Sequence, residues 1–217
     1  MSFLNRRDAG RQLATRLERF RHDEPVVLAL PRGGVPVGDE IARALQAPLD
    51  IVVARKLGAP AHPEFAIGAI APGVAMVDSD LLSQLGISPE EVTERIAMET
   101  QEMERRERKY RRGSPPFELE GRTVILVDDG LATGATARAA LASIRKQGPA
   151  RVIFAAPVCA RDSAARLRKD ADEVVCLRAP ADFRAVSLHY QDFEPITDEE
   201  VLLSLDRTLA TPAMAAF

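Results

Sequence analysis

The chain has 217 residues, 46% of them hydrophobic and 28% charged, enough for one globular domain with a substantial core rather than a string of small modules. A formal charge of -3 gives no global pull toward nucleic acid or an anionic membrane, so any affinity for anions must be local. No apolar run approaches a membrane span and the opening MSFLNRRDAGRQ lacks the apolar centre of a signal peptide, which together read as a soluble, cytoplasmic protein.

The first element is an amphipathic helix over residues 5–20, with Ala9, Leu13, Leu17 and Phe20 at helical spacing and basic residues between them. Five short apolar runs follow: VVLAL (26–30), LDIVVA (49–54), TVILV (123–127), RVIFAAP (151–157) and EVVCL (173–177). None alternates between apolar and polar, as expected of strands buried on both faces, and helical stretches separate them at 37–45, 135–147 and 162–169. The fold class is therefore α/β, a mostly parallel sheet flanked by helices. Cys159 and Cys176 sit inside the apolar stretches VIFAAPVCA and EVVCL and read as reduced core thiols.

One connection breaks the rhythm, for about 68 residues separate the second run from the third, far more than a crossover needs. Its first part, rich in Gly and Pro, contains the short strand candidates FAIGAIA and VAMVD. Its second part, residues 89–112, is a charge-dense helix with Ser88 as N-cap and Pro89 at the first helical position. An ordered excursion of this length reads as a flap over the sheet. After residue 178 comes a tail in which Thr197 caps a final helix over TDEEVLLSL, and in which Phe183, His189, Tyr190 and Phe193 are available either to stack on a ligand or to pack on the core.

The stretch that carries chemistry is VILVDDGLATGAT, residues 124–136. A buried strand runs into two adjacent carboxylates, Asp128 and Asp129, then into a small loop and a helix. Ligands of open parallel sheets bind beyond the carboxyl ends of the strands. There the loop's backbone N–H groups, the hydroxyls of Thr133 and Thr136 and the helix N-terminus make a phosphate cradle without a lysine. A Walker loop is excluded by the missing Gly-Lys-Ser/Thr ending, and no Gly-x-Gly-x-x-Gly fingerprint occurs. Carboxylates beside a phosphate cradle suit a sugar phosphate.

These thirteen residues resemble the signature of the type I phosphoribosyltransferases: four apolar residues, two acidic ones, a variable loop and Thr-Gly-x-Thr. The resemblance covers about residues 25–178 and implies a single phosphoribosyltransferase domain, with a core at about 25–57 and 120–178, a flap at about 58–115 and a variable C-terminal hood at about 179–217. It implies that Asp128 and Asp129 address the ribose hydroxyls of phosphoribosyl pyrophosphate (PRPP) and that Ala132, Thr133, Gly134, Ala135 and Thr136 hold its 5-phosphate. It further implies that Arg32, Gly33 and Gly34, in LALPRGGVPVG, bind pyrophosphate together with Arg55 and Lys56. The activity implied is Mg²⁺-dependent transfer of phosphoribosyl to a small-molecule acceptor with release of pyrophosphate, as in nucleotide salvage, by a protein that does not bind nucleic acid or membrane. Arg32, Arg55 and Lys56 would stabilise the leaving group, with Mg²⁺ bridging ligand oxygens near the aspartates and no residue assigned as a firm metal ligand. Glu64 is the candidate general base from the flap, with His62 and His189 behind it. Family members are often homodimers, and the flap helix offers a surface for that. Position 132 is alanine where members acting on 6-oxopurines commonly carry aspartate, and the Pro-Arg-Gly-Gly loop differs from that of the adenine-specific group, so no acceptor is assigned. The alternative is a non-catalytic sensor of PRPP or a nucleotide on the same fold.

Overall fold

A computed structural model describes residues 2–60, 62–63 and 65–209. Its centre is a five-stranded parallel sheet formed by β1 (Val26–Ala29), β2 (Leu49–Ile51), β6 (Thr123–Val127), β7 (Arg151–Val158) and β8 (Glu173–Arg178), in the order β2-β1-β6-β7-β8. Every residue of β1, β2 and β6 is buried, which is why these runs show no polar alternation. Val27, Ala29, Ile125, Val127, Ile153 and Ala155 face one helical layer, formed by α1 (Arg6–Leu17), α2 (Gly34–Leu45) and α7 (Asp198–Leu209). Val26, Leu28, Val124, Leu126, Val152 and Phe154 face the other, formed by α5 (Ala135–Arg145) and α6 (Arg161–Leu167).

The helices start where local chemistry tells them to. Asn5 caps α1 by accepting the N–H of Asp8 at 3.0 Å, and Thr197 and Glu200 form a reciprocal cap at the start of α7, at 3.2 and 2.8 Å. The helix expected to run to residue 20 stops at Leu17, and residues Glu18–Asp23 tighten into a 3-10 turn. Cys159 is fully buried and Cys176 partly so, and both are free thiols.

The long connection forms a second unit. Its antiparallel sheet comprises β3 (Arg55–Gly58), β4 (Ala66–Ala71) and β5 (Val74–Val77), followed by α3 (Ser79–Leu85) and the 23-residue α4 (Pro89–Arg111). The segment that carries Arg55 and Lys56, just after the second apolar run, is itself a strand, because residues 55–58 pair with β4. This sheet lies on α5 through the small buried residues Ala69, Ala71 and Ala139. Its β4–β5 turn is held there by Ser143 Oγ donating to the carbonyl of Pro72 at 2.7 Å and Lys146 Nζ donating to that of Gly73 at 2.6 Å. The far end of α4 is tied to the main sheet by Arg111, which donates to Asp50 Oδ2 at 2.6 Å and to the carbonyl of Ile51 at 2.9 Å.

The hood is built from both ends of the described chain. Phe3 forms a parallel bridge with Tyr190, its N–H donating to the carbonyl of His189 and its carbonyl accepting from Gln191, each at 2.8 Å. Residues 210–217, the end of the expected hood, lie outside the described residues.

Candidate active site

The chain leaves β1 for the β2 edge of the main sheet, then returns at β6 and proceeds toward the other edge, so strand order reverses between β1 and β6. A crevice opens at the carboxyl ends of strands at such a reversal, and ligands of open α/β sheets bind there. The two loops bordering it are residues 30–34 after β1 and residues 128–134 after β6.

In the second loop Leu131 is buried, donating its N–H to Val158 and accepting at its carbonyl from Ala160, both at 2.8 Å. Gly134 then turns the chain at φ +82°, a left-handed conformation that costs glycine little, and α5 begins at the next residue. Ala132 and Thr133 are left exposed, with Ala135 and Thr136 half-buried on the first turn of α5. The first-turn N–H groups of a helix have no partner within it, which suits an anion. The expected cradle residues 132–136 are therefore together at one helix N-terminus.

The first loop passes so close that a side chain on either of its glycines would meet the second loop. A Cβ built on Gly34 would lie 2.6 Å from the carbonyl oxygen of Val127, and one on Gly33 would lie 2.0 Å from Asp129 Oδ2. The peptide between Pro31 and Arg32 is cis. Leu30 joins the loops by donating its N–H to the carbonyl of Val127 at 2.9 Å.

Asp128 and Asp129 differ in their surroundings. Asp129 Oδ2 accepts from Arg6 Nε at 2.7 Å, while the Arg6 guanidinium also donates to the carbonyl of Glu194 at 2.8 Å and lies 3.7 Å above the Phe193 ring. Asp128 Oδ1 accepts the backbone N–H of Asp129 at 2.9 Å. Arg6 and Lys56 act on Asp128 through their charge alone. Burial, followed by the adjacent charge of Asp129, pushes the Asp128 carboxyl well above the usual carboxylate range. Burial raises Asp129 too, against the opposing pull of Arg6, so the two carboxyls titrate as a pair.

The three expected cations separate. Arg55 and Lys56 are neighbours on a strand and so face opposite ways. Arg55 Nε donates to Glu99 Oε2 on α4 at 2.6 Å, whereas Lys56 is exposed within range of Asp128. Arg32 stands in the first loop with its guanidinium 3.8 Å from Asp198. Asp198 also accepts from Lys109 and from the Tyr110 hydroxyl, each at 2.5 Å, and these bonds hold it below the usual carboxylate range. Burial and that bond push the Tyr110 phenol up to about 12. Arg32, α4 and α7 thus meet at one carboxylate.

Of the remaining candidates, Glu64 lies outside the described residues. His62 is exposed in the turn before β4, where its carbonyl accepts from Phe65. In the hood, Phe183 stacks on His189 with ring centres 5.6 Å apart, and Tyr190 is buried between Phe3 and Phe193. Tyr190 donates its hydroxyl to the backbone carbonyl of Asp129 at 2.6 Å, a positioning role rather than an open stacking face. Neither Arg6 nor Asp198 stood out in the sequence. One signal was present for Arg6: it opens α1, where the helix dipole favours acids, so a cation there implies a partner elsewhere.

With this geometry in place, comparison with known proteins identifies the class. Residues 4–192 match the family model described as the phosphoribosyl transferase domain, and the chain belongs to that family. It is 47% identical over 208 residues to two Mycobacterium tuberculosis proteins, "Putative phosphoribosyl transferase Rv0571c" of strain H37Rv and "Putative phosphoribosyl transferase MT0597" of strain CDC 1551. The match covers 94% of this chain and 46% of each relative, so the chain spans about half the length of the curated relatives it matches. The crystal structure of TT1426 from Thermus thermophilus superimposes with a TM-score of 0.80 at 43% identity, covering 94% of this chain and 98% of that one. The type I phosphoribosyltransferase fold expected from the sequence is thereby established. No helix among the described residues is long and apolar enough to cross a membrane.

Proposed function

We propose that this chain transfers a 5-phosphoribosyl group from PRPP to a nucleophilic acceptor and releases pyrophosphate. The observation that carries the reading is the meeting of two loops at the strand-order reversal, with Asp129 packed on the backbone of Gly33. That contact sets an aspartate-bearing loop with a helix-terminal anion cradle beside a second loop carrying Arg32, with Lys56 in electrostatic range. In the reaction the bond from C1 of ribose to pyrophosphate breaks and its electron pair departs with the pyrophosphate. The acceptor forms the new bond to C1 and loses a proton.

The residues of the chain divide that work by position. The N-terminus of α5 would hold the 5-phosphate, and Asp128 would accept from ribose hydroxyls. Lys56 and Arg32 would lie toward the departing negative charge, where fixed cations lower the barrier. Mg²⁺ would suit this donor set because it retains waters and takes oxygens from a ligand, with Asp128 as the protein's hard oxygen. When bound it would supply charge neutralisation of the pyrophosphate.

Isothermal titration with PRPP and Mg²⁺ tests the reading first. Pyrophosphate release is then measured across purines, pyrimidines, pyridine carboxylates and small amines, with Asp128→Asn as blank. Binding lost in Asp128→Asn, together with release dependent on one acceptor, is the expected result. Wild-type protein that neither binds PRPP nor releases pyrophosphate refutes it.

A further inference from the structure

A cavity of about 580 Å³ opens on the α5 face of the central sheet, away from the crevice. None of residues 30–34 or 128–136 lines it, and Ser143, where it reaches α5, lies about 12 Å along that helix from Ala135. Its floor is apolar, made by Leu28, Val52, Leu119 and Ile144 of one core cluster, with the half-buried Phe117 packed against them. Its walls are the last turns of α4, the segment 113–119 and the end of α5. Cavities of about 300–1,000 Å³ with an apolar floor and a few polar groups have the size and make-up of small-molecule sites.

Five charged side chains line the cavity, and four of them are paired. Asp50 Oδ2 accepts from Arg111 at 2.6 Å and its Oδ1 from the N–H of Ile51 at 2.7 Å, while Arg111 also donates to the carbonyl of Ile51 at 2.9 Å. Arg108 lies 3.5 Å from Glu104. Glu107 is left over. Arg111, Asp50 and Glu104 act on it through charge alone, and among the described residues no donor reaches its half-buried carboxylate. Burial above all, with the charges of Asp50 and Glu104 against the pull of Arg111, pushes this carboxyl above the usual carboxylate range.

We propose that the cavity binds a small organic cation, an ammonium or amidinium on a flat apolar body, with the cationic head on Glu107 and the body on the floor. The charge balance selects the sign. Three carboxylates stand against two guanidiniums, so an anion is repelled, and a neutral apolar ligand would desolvate Glu107 further without giving it a partner. A divalent metal ion asks for several oxygen ligands, whereas Glu107 offers one free carboxylate. The cavity also lies between two fastenings of the flap, the Arg111–Asp50 bond and the β4–β5 turn, whose Pro72 lines it. An occupant therefore bears on both. The site does not depend on the PRPP reading.

Benzamidine, an amidinium on a flat ring, is the probe, and benzamide, the same shape without the charge, is its control. Calorimetry on the full chain should give one benzamidine site, with benzamide bound about tenfold more weakly or worse. Glu107→Gln should weaken benzamidine about tenfold and erase its advantage over benzamide, and Glu107→Asp, which keeps the charge and shortens the reach, should lose less. Asp128→Asn, in the crevice, should leave benzamidine binding unchanged. The Glu107→Gln change removes a charge that burial disfavours, and its melting temperature without ligand verifies the fold. In amide exchange, benzamidine should slow residues 69–75 and 108–119 in wild type and not in Glu107→Gln. Benzamidine that fails to bind at millimolar concentration, binds no better than benzamide, or binds Glu107→Gln as well as wild type overturns the site. So does binding lost in Asp128→Asn, which places the cation in the crevice instead.

Discussion

Gly33→Ala separates packing from backbone conformation at the heart of the site. Gly33 has φ -61° and ψ -35°, an ordinary right-handed helical conformation open to any residue. In open space the substitution would stabilise by about 0.4–1 kcal/mol, since alanine restricts the unfolded chain. Here the added Cβ would stand 2.0 Å from Asp129 Oδ2 and 2.6 Å from its Cγ, so the carboxylate must move by about an ångström and leave its 2.7 Å bond to Arg6. Overpacking of this kind costs about 1–3 kcal/mol, which reverses the sign. For a chain of this size that lowers the melting temperature by roughly 2–12 °C. Thermal and urea denaturation of Gly33→Ala, Asp129→Ala and the double variant form the assay. In the Asp129→Ala background the obstructing carboxylate is gone, and adding the Gly33→Ala change should be neutral or stabilising. A Gly33→Ala protein as stable as wild type, or a double variant whose losses simply add, refutes the close approach of the two loops.

Three further outcomes follow from the geometry. Lys56→Ala should weaken PRPP binding by about tenfold, with the deficit shrinking as salt rises, while Arg55→Ala should spare binding and instead lower stability by about 1–2 kcal/mol by leaving Glu99 without its 2.6 Å partner; calorimetry and urea denaturation of the two single variants distinguish these effects. Because burial and Asp129 raise the Asp128 carboxyl, its contribution to stability is fully present below the unfolded value near 3.9 and is lost as pH rises through the elevated folded value. Asp128→Asn should therefore be more stable than wild type at neutral pH, with the advantage vanishing in acid, as pH-dependent urea titrations would show. Ser143→Ala removes the 2.7 Å bond to the Pro72 carbonyl, should cost about 1 kcal/mol, and should speed amide exchange in β4 and β5 relative to β6.

The central sheet could be read from the sequence because its cause is local to each run. Residues such as 123–127 are apolar on both faces, since helices cover both faces. Ser88 and Thr197 announced α4 and α7 because a capping hydroxyl acts on its own next turn. The strand β3 could not be read in this way, for RKLG buries only Leu57 and Gly58, and it is a strand because β4 pairs with it. The seven-residue α3 has no buried residue at all; its ends are set by the Asp78 cap and by Gly86, too short a pattern for apolar periodicity. At the site, the cradle and both glycine-bearing loops were legible, whereas the Arg6–Asp129 bond spans 123 residues of sequence and leaves no local pattern beyond a cation at the wrong end of a helix.

The partition of charge follows from this long-range contact. Two adjacent carboxylates near an anion cradle would repel a phosphorylated ligand if both stayed unpaired, by about 1 to 4 kcal/mol per pair of charges 4 Å apart, depending on how wet the site is. Arg6 offsets one of them from inside the fold, and the Arg55–Glu99 pair turns a second cation away from the crevice. The other carboxylate, Asp128, feels the charges of Arg6 and Lys56, and its loop leads into the N-terminus of α5, whereas Arg32 stands 3.8 Å from Asp198. On the function proposed above, a ligand with hydroxyls between two phosphate groups would set its hydroxyls at Asp128 and one phosphate at the α5 N-terminus, and a ligand with its charge at the centre would not.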